Sequence, residues 1–337
     1  MSTPQVAVAM DWGGTWIRTA VINRQGNILW QAREPNPQNG TKEQYLVHAE
    51  KLLATAIEHA ENAGGPVAGI GAAVAGPVEP TTGTFYQPPN LKVLDGVSFN
   101  ALWEDKFSLP VWVGNDANLA AMGEFYFGAG KQSADQGQPV KTLFYVTVST
   151  GVGGGAVDQG SLFLGANGLT AEIGHTIVNP SEDALSCECG SRGCLETAAS
   201  GTSIARIANL RLAAGEFPSS VLATLGPDNV DSEAVFNAAE QHDPLAVSIL
   251  DGVVSALAVG LTNVVHLFNP DMIVLGGGVT VGLVKLDLLT AIKTQILGRA
   301  MSELHKEFQL TSAALGDSVG LVGAAALVWQ QLDKTQG

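Results

Sequence analysis

Basic residues are scarce in this chain. Lys and Arg number 17 against 32 Asp and Glu, a formal charge of −15 over 337 residues. Binding DNA or RNA requires a basic face that displaces counterions from phosphate. No Lys/Arg cluster supplies one, so no nucleic-acid partner is expected. The acidity speaks to solubility and does not exclude a phosphate ligand, because backbone N–H groups bind phosphate locally. Long apolar runs are missing too. The best candidate, residues 252–268, is interrupted by Ser255, Thr262, Asn263 and His266 and falls short of the roughly 20 residues a span needs. It reads as a buried helix, and no membrane association is expected. The first residues have no basic stretch ahead of their apolar run, so they read as a strand and not as a secretory signal. Cysteine is rarer still: only Cys187, Cys189 and Cys194 occur, close together. An odd, local set makes a poor disulfide framework and a good metal site in a reducing compartment. The cytoplasm is the expected location.

What is abundant is apolar residues and glycine. Hydrophobic residues make up 46% of the chain and charged ones 15%, which excludes a disordered chain. At roughly 100–200 residues per domain, two domains are expected. The 40 glycines follow no collagen period, so many belong where the backbone turns tightly or approaches a ligand. Residues 6–11 read as a strand running into Gly13-Gly14, and 16–23 as a second strand. No helix opens after these glycines, which argues against a Rossmann dinucleotide site. Residues 44–63 are helical by period, and 67–78 form an apolar strand ending at Gly76-Pro77. Residues 111–113 are a short buried strand, after which Asn115 caps a helix running to about Tyr126. The opening grammar then repeats: strand 143–149, a glycine turn over 151–155, and a return strand from Ala156. Two copies of strand, glycine turn, strand suggest a duplicated α/β unit. A loop-rich stretch covers 179–193, helices run to about Asp271, strand 272–275 ends in Gly276-Gly277-Gly278, and a last apolar helix covers 319–327.

Several constellations carry chemistry. Asp11-Trp12-Gly13-Gly14-Thr15 and Ser149-Thr150-Gly151-Val152-Gly153-Gly154-Gly155 are either tight hairpins or places where amides and hydroxyls converge on an anion. The pair, with a third turn at Gly276–Gly278, favours nucleotide phosphates. A carboxylate ahead of the first turn suits Mg²⁺. A P-loop is excluded, since no G-x-x-x-x-G-K-[ST] occurs. His175 with Cys187, Cys189 and Cys194 satisfies tetrahedral Zn²⁺ and leaves no position open, which makes a structural site; three unrelated buried cysteines are the plain alternative. Asn115-Asp116 are ordinary helix-opening residues, yet an Asp at a strand's carboxyl end also suits a general base. Glu172, His175 and Glu196 form either surface charge or a cluster of acceptors for a polyol, which zinc would draw together.

In order along the chain stand D-W-G-G-T-W-I-R, G-N-D-A-N, S-T-G-V-G-G-G, A-E-I-G-H, C-E-C-G-S-R-G-C-L-E and I-V-L-G-G-G-V. The chain resembles the ROK family of repressors, open-reading-frame proteins and sugar kinases over nearly its whole length, most specifically at the cysteine loop. The resemblance implies an α/β fold of two actin-like (ribonuclease H-like) domains flanking a cleft. It divides the chain into a smaller N-terminal domain, 1–117 plus 318–337, and a larger domain, 118–317, with the zinc loop. It implies a kinase that transfers phosphate from ATP to the 6-hydroxyl of glucose, or of N-acetylglucosamine or N-acetylmannosamine as the alternative. Its cofactors would be ATP, Mg²⁺ and a structural Zn²⁺, and its assembly a homodimer or homotetramer. Asp116 matches the family's catalytic base. Gly76, Asn90, Asn115, Glu172, His175 and Glu196 match its sugar-binding positions. Gly13, Gly14, Thr15, Thr150 and Gly151 match those facing the ATP phosphates, Gly277 and Gly278 those near adenosine, and Asp11 the one near Mg²⁺. His175 would serve zinc with one ring nitrogen and a sugar hydroxyl with the other. The longer gap from His175 to Cys187, Leu169-Thr170-Ala171 before Glu172, and Val93-Leu94-Asp95 after Asn90 depart from the family's usual pattern. A sugar-sensing regulator on the same fold would carry a helix-turn-helix ahead of the first strand, which here begins at Val6.

Overall fold

A computed structural model describes residues 5–63, 65–226 and 228–336. Strands β1 (Val6–Trp12), β2 (Trp16–Asn23) and β3 (Ile28–Pro35) lead into α1 (Lys42–Ala63), β4 (Val67–Val74), and a small ladder of β5 (Val78–Glu79) and β6 (Thr84–Phe85). Next come α2 (Phe99–Phe107), β7 (Val111–Asn115), α3 (Asp116–Tyr126) and α4 (Ala129–Asp135). Strands β8 (Thr142–Val148), β9 (Val152–Asp158) and β10 (Ser161–Leu162) precede α5 (Glu196–Ala199), α6 (Gly201–Ala213), α7 (Ser232–Glu240) and α8 (Pro244–Phe268). The chain closes with β11 (Met272–Gly276), α9 (Gly278–Lys285), α10 (Leu288–Arg299), β12 (Gln309–Ser312) and α11 (Val319–Gln336).

The expected duplication is visible in the sheets. One has the order β3-β2-β1-β4-β7 and the other β10-β9-β8-β11-β12. In the first, β2 pairs antiparallel with both β1 and β3, while β4 pairs parallel with β1 and β7. In the second, β11 pairs parallel with β8 and β12, and β10 pairs antiparallel with β9. Parallel strands buried on both faces read as unbroken apolar runs, which is why β1 and β11 were legible and why β3, whose burial alternates, was not.

By internal contacts the chain forms two compact units. One comprises Met1–Lys141, Gly155–Thr170 and Ala314–Gly337; the other Thr142–Gly154 and Ala171–Ala313. Residues 118–141 and 155–170 thus group with the N-terminal segment. The reason lies in α3, which packs on α11 with almost no side chain between them: a β-carbon at Gly323 would lie 1.9 Å from the Leu119 carbonyl oxygen. The same helix α11 settles on β4, where a β-carbon at Gly71 would lie 2.1 Å from the Ala324 carbonyl oxygen. The core of this unit is aromatic: Trp12, Phe85, Phe99 and Trp103 are fully buried, and Trp12 stacks on Trp103 with centroids 6.3 Å apart. In the other unit α8 is the central helix. It is long and apolar enough to cross a membrane, but Leu250, Val253, Val254, Leu257 and Leu261 are buried among neighbouring helices, as the interrupted run predicted.

Two sequence readings need correction. Strand β4 stops at Val74, before the Gly76-Pro77 kink. Gly153, Gly154 and Gly155 are not turn residues but lie within β9. Glycine inside a strand marks a close approach of another backbone. A β-carbon at Gly154 would lie 2.5 Å from the Ala171 carbonyl oxygen, and one at Gly155 2.6 Å from that of Ala117. The turn itself is shorter, Ser149–Gly151, closed by the Ser149 N–H donating to the Gly151 carbonyl at 2.9 Å.

Candidate active site

In the first unit the glycine turn joins antiparallel β1 and β2. Asn36, between Pro35 and Pro37, holds it from behind. Its side-chain amide donates to the carbonyls of Gly13 and Gly14, both at 2.8 Å, and its oxygen accepts from Trp12 Nε1 at 2.9 Å. Both carbonyls of the turn are thereby engaged. A β-carbon at Gly14 would lie 2.7 Å from that of Asn90, so the structure brings a phosphate candidate against a sugar candidate. Gly14, Thr15 and Asn90 are exposed.

Asp11 sits opposite Arg18 in the β1–β2 register, with Nε 3.8 Å from Oδ2. Arg18 also donates to the Asp317 carbonyl at 2.6 Å. The first turn of α11 rests on the Asp11 carboxylate: a β-carbon at Gly320 would lie 2.8 Å from its carboxyl carbon. Burial pushes the Asp11 carboxyl above its ordinary range, and Arg18 works against that shift.

Asn115 and Asp116 stand where β7 gives way to α3. Asn115 Oδ1 accepts from the N–H groups of Ala117 (3.0 Å) and Asn118 (3.1 Å), a helix cap. Its amide donates to the Gly76 carbonyl at 3.2 Å and to Asp116 Oδ1 at 3.0 Å. The Ala117 N–H adds a second donor to that oxygen at 2.9 Å. The capping reading and the functional one are therefore compatible: the cap fixes Asn115, and Asn115 fixes Asp116 and reaches Gly76. Gly76 has φ of +148° and packs on Pro88, which closes the loop leading to Asn90.

In the second unit, the ligand atoms of His175, Cys187, Cys189 and Cys194 all lie within 4.8 Å of one another. Tetrahedral zinc, with bonds of about 2.3 Å to sulfur and about 2.0–2.1 Å to nitrogen, separates two thiolates by about 3.8 Å and a thiolate from an imidazole by about 3.6 Å. Cys189 and Cys194 sulfurs are 3.7 Å apart, and Cys187 sulfur is 3.6 Å from His175 Nδ1. The donor set fits zinc in number, type and spacing. The loop is shaped by Gly190 and Gly193, both with positive φ; a β-carbon at Gly193 would lie 1.7 Å from the Asn179 carbonyl oxygen. Burial pushes the Cys194 thiol up to about 12. Metal binding there must displace a tightly held proton.

Glu172 precedes the short 3₁₀ turn Ile173–His175. Desolvation raises its carboxyl, His175 draws it down and Glu196 pushes it up, so the three predicted sugar-side groups are electrostatic neighbours. Glu196 opens α5 and its Oε2 accepts from the Val152 N–H at 2.8 Å. Thr150 and Gly151 lie at the carboxyl end of β8, beside that of its parallel partner β11. Gly277, with φ of +88°, approaches there: a β-carbon would lie 2.4 Å from the Val148 carbonyl oxygen. Gly278 begins α9 and is open. Ligand sites at the carboxyl ends of parallel strands are the general rule for α/β sheets.

The family model described as the ROK family matches residues 7–331. The chain belongs to the ROK family. It is 34% identical to a glucokinase of Halalkalibacterium halodurans over 96% of this chain and 95% of that one. Among solved structures it resembles a ROK family glucokinase from Streptomyces griseus in complex with glucose and AMPPNP, with 32% identity, a TM-score of 0.76, and coverage of 96% and 99% of the two chains. A ROK hexokinase from Thermus thermophilus matches with 28% identity and a TM-score of 0.79 over 98% and 99%. The fold is therefore that of the ROK sugar kinases, an actin-like pair of α/β domains. Beyond the site residues that the ROK resemblance supplied, the structure adds Asn36 and Gly320, and it gives Arg18, the last residue of the first motif, a place beside Asp11. Asn36 had one signal, an Asn held between two prolines; Gly320 had none, since its partner Asp11 is distant in sequence.

Proposed function

We propose that this chain is an ATP-dependent hexose kinase that phosphorylates the 6-hydroxyl of glucose in the cytoplasm, as a homodimer or homotetramer. The observation that carries the reading is Asp116: a carboxylate at the start of a helix, held through one oxygen by Asn115 and Ala117. Phosphoryl transfer needs positioning and charge neutralisation more than covalent help. Asp116 accepts the proton of the 6-hydroxyl as it attacks the γ-phosphorus in line. Asn90, Asn115, Glu172, Glu196 and His175 orient the remaining hydroxyls, with Gly76 against the ring. His175 would meet zinc through Nδ1, the nitrogen turned to the thiols, and a hydroxyl through Nε2. His175 and the three cysteines would hold a structural zinc, which would fix the loop that leads into Glu196. The amides and hydroxyls of Gly13–Thr15 and Thr150–Gly151 receive the phosphates, and Gly277 and Gly278 border the adenosine. Asp11 would hold Mg²⁺, which when bound neutralises charge on the phosphate oxygens.

The test is ADP release from Mg²⁺-ATP with glucose, mannose, fructose, N-acetylglucosamine and N-acetylmannosamine in parallel. Glucose should give the strongest response, and preference for an acetylated sugar would overturn the substrate while keeping the reaction. Asp116→Ala should lower kcat by about 10²–10⁴-fold while glucose binding, followed by calorimetry, stays within a few fold. Near-normal turnover would remove Asp116 as the base.

A further inference from the structure

The second glycine turn does not stand alone. Three groups from the segment that follows the cysteine loop grip its backbone. Glu196 Oε2 accepts from the Val152 N–H at 2.8 Å. The Gly201 N–H donates to the Ser149 carbonyl at 2.7 Å, and Thr202 Oγ1 donates to the Thr150 carbonyl at 2.9 Å. The Glu196 carboxylate lies so close that a β-carbon at Gly151 would sit 2.6 Å from Oε2. The segment is itself tied down: Thr197 donates to the Cys194 carbonyl through its N–H (3.0 Å) and its hydroxyl (2.7 Å), and Ser203 Oγ donates to the Glu196 carbonyl at 2.8 Å.

We propose that Glu196 is a positioning residue for the nucleotide, bracing the Ser149–Val152 turn, in addition to its assignment on the sugar side. The inference rests on the reading of that turn as a phosphate-binding element. Glycine-rich backbone carries high conformational entropy, so its amides converge on an anion only where something holds them. The carboxylate holds Val152 by a charge-assisted hydrogen bond, among the stronger kinds, while Gly201 and Thr202 hold the carbonyls of Ser149 and Thr150. One side chain two residues from Cys194 thus connects metal loop, sugar side and phosphate turn. Loosening it should reach the nucleotide even when no sugar is present, which a residue acting only as a sugar ligand would not do.

The measurement is calorimetric binding of AMPPNP with Mg²⁺, without sugar, to wild type, Glu196→Ala, Glu196→Gln and Thr202→Val, each checked for zinc content and thermal midpoint. Glu196→Ala should weaken binding about tenfold, on the scale of one lost hydrogen bond to a charged group. Glu196→Gln keeps an oxygen for the Val152 N–H and should stay within about threefold of wild type. Thr202→Val, which lies outside the assigned binding residues, should weaken binding about threefold by releasing Thr150. Unchanged affinity in Glu196→Ala would overturn the brace. Tighter binding in both Glu196 variants would overturn it too, since the carboxylate would then act only by repelling phosphate. If Glu196→Ala fails to fold or loses zinc, Thr202→Val decides: a threefold loss supports the brace and no change rejects it. A wild type that binds no AMPPNP would instead sink the phosphate reading of the turn, and this inference with it.

Discussion

The two glycine turns share a sequence grammar and differ in what holds them. Gly13-Gly14 is gripped by Asn36, a neutral amide that donates to two carbonyls and is itself held by Trp12. That brace lies just beyond β3, within the same antiparallel meander. Ser149–Val152 is gripped by a carboxylate and by Gly201 and Thr202, all beyond the cysteine loop. The first turn is therefore a local product of its hairpin, and the second depends on a segment that follows a distant loop, which carries three of the four side chains placed to hold a metal ion. A duplicated fold has kept the turn and exchanged the support.

The most severe way to break this comparison is to remove the metal loop. Cys194→Ser, or chelation of zinc from the wild type, should release the second turn and spare the first. Amide hydrogen exchange should accelerate over 149–155 and 195–203 and stay slow over 11–16. Metal affinity should fall by more than the roughly 10–100-fold typical of mutations behind the ligands themselves. Equal acceleration at both turns would show that the loop supports the whole fold and not one turn.

How much of this could be read in the sequence follows the same division. The strands that flank both turns, the Asn115 cap and the His/Cys₃ set were legible because each depends on local spacing. β1 and β11 declare themselves as buried apolar runs, and three cysteines in one Gly-rich loop have few other uses. Gly154 and Gly155 look like turn residues in the sequence but lie in β9, because glycine serves close backbone packing as well as turning, and the Ala171 and Ala117 carbonyls that press on them lie well outside the motif. The contact of Gly320 with Asp11 and of Gly323 with Leu119 was invisible for the same reason. These are long-range approaches that leave no mark in sequence beyond a glycine. Motif resemblance supplied Glu196 as a sugar ligand, but only the structure shows its oxygen on the Val152 amide.

A milder break targets the first turn. Asn36→Ala strips the buried Trp12 Nε1 of its acceptor and two carbonyls of their donor. Leaving a buried donor unsatisfied costs about 1–3 kcal/mol, so the urea midpoint should fall by a corresponding amount with the slope unchanged. Exchange should now accelerate over 11–16 and not over 149–155, the mirror of the zinc experiment. A fall in stability with both turns equally protected would mean that Asn36 serves the core and not the turn.

The smallest expected effect sharpens the electrostatic side of the comparison, since Asp11 lies near the end of β1, just ahead of the first turn, and is desolvated there. Its carboxyl is held above the ordinary value of 3.8 by burial, with Arg18 opposing. The native state therefore keeps this proton at a pH where the unfolded chain has released it. The contribution is fully present below 3.8 and is lost as the pH rises through the native value, because stability falls with pH wherever the native state binds more protons. In the absence of Mg²⁺ and nucleotide, unfolding free energy measured from pH 4 to 7 should carry this declining component, and Asp11→Asn should flatten it. Arg18→Met should steepen it, because the guanidinium is what restrains the shift. If Asp11→Asn leaves the slope unchanged, the carboxylate is solvated better than its place beneath Gly320 implies, and the first turn bears no electrostatic cost for keeping an anion ready at its edge.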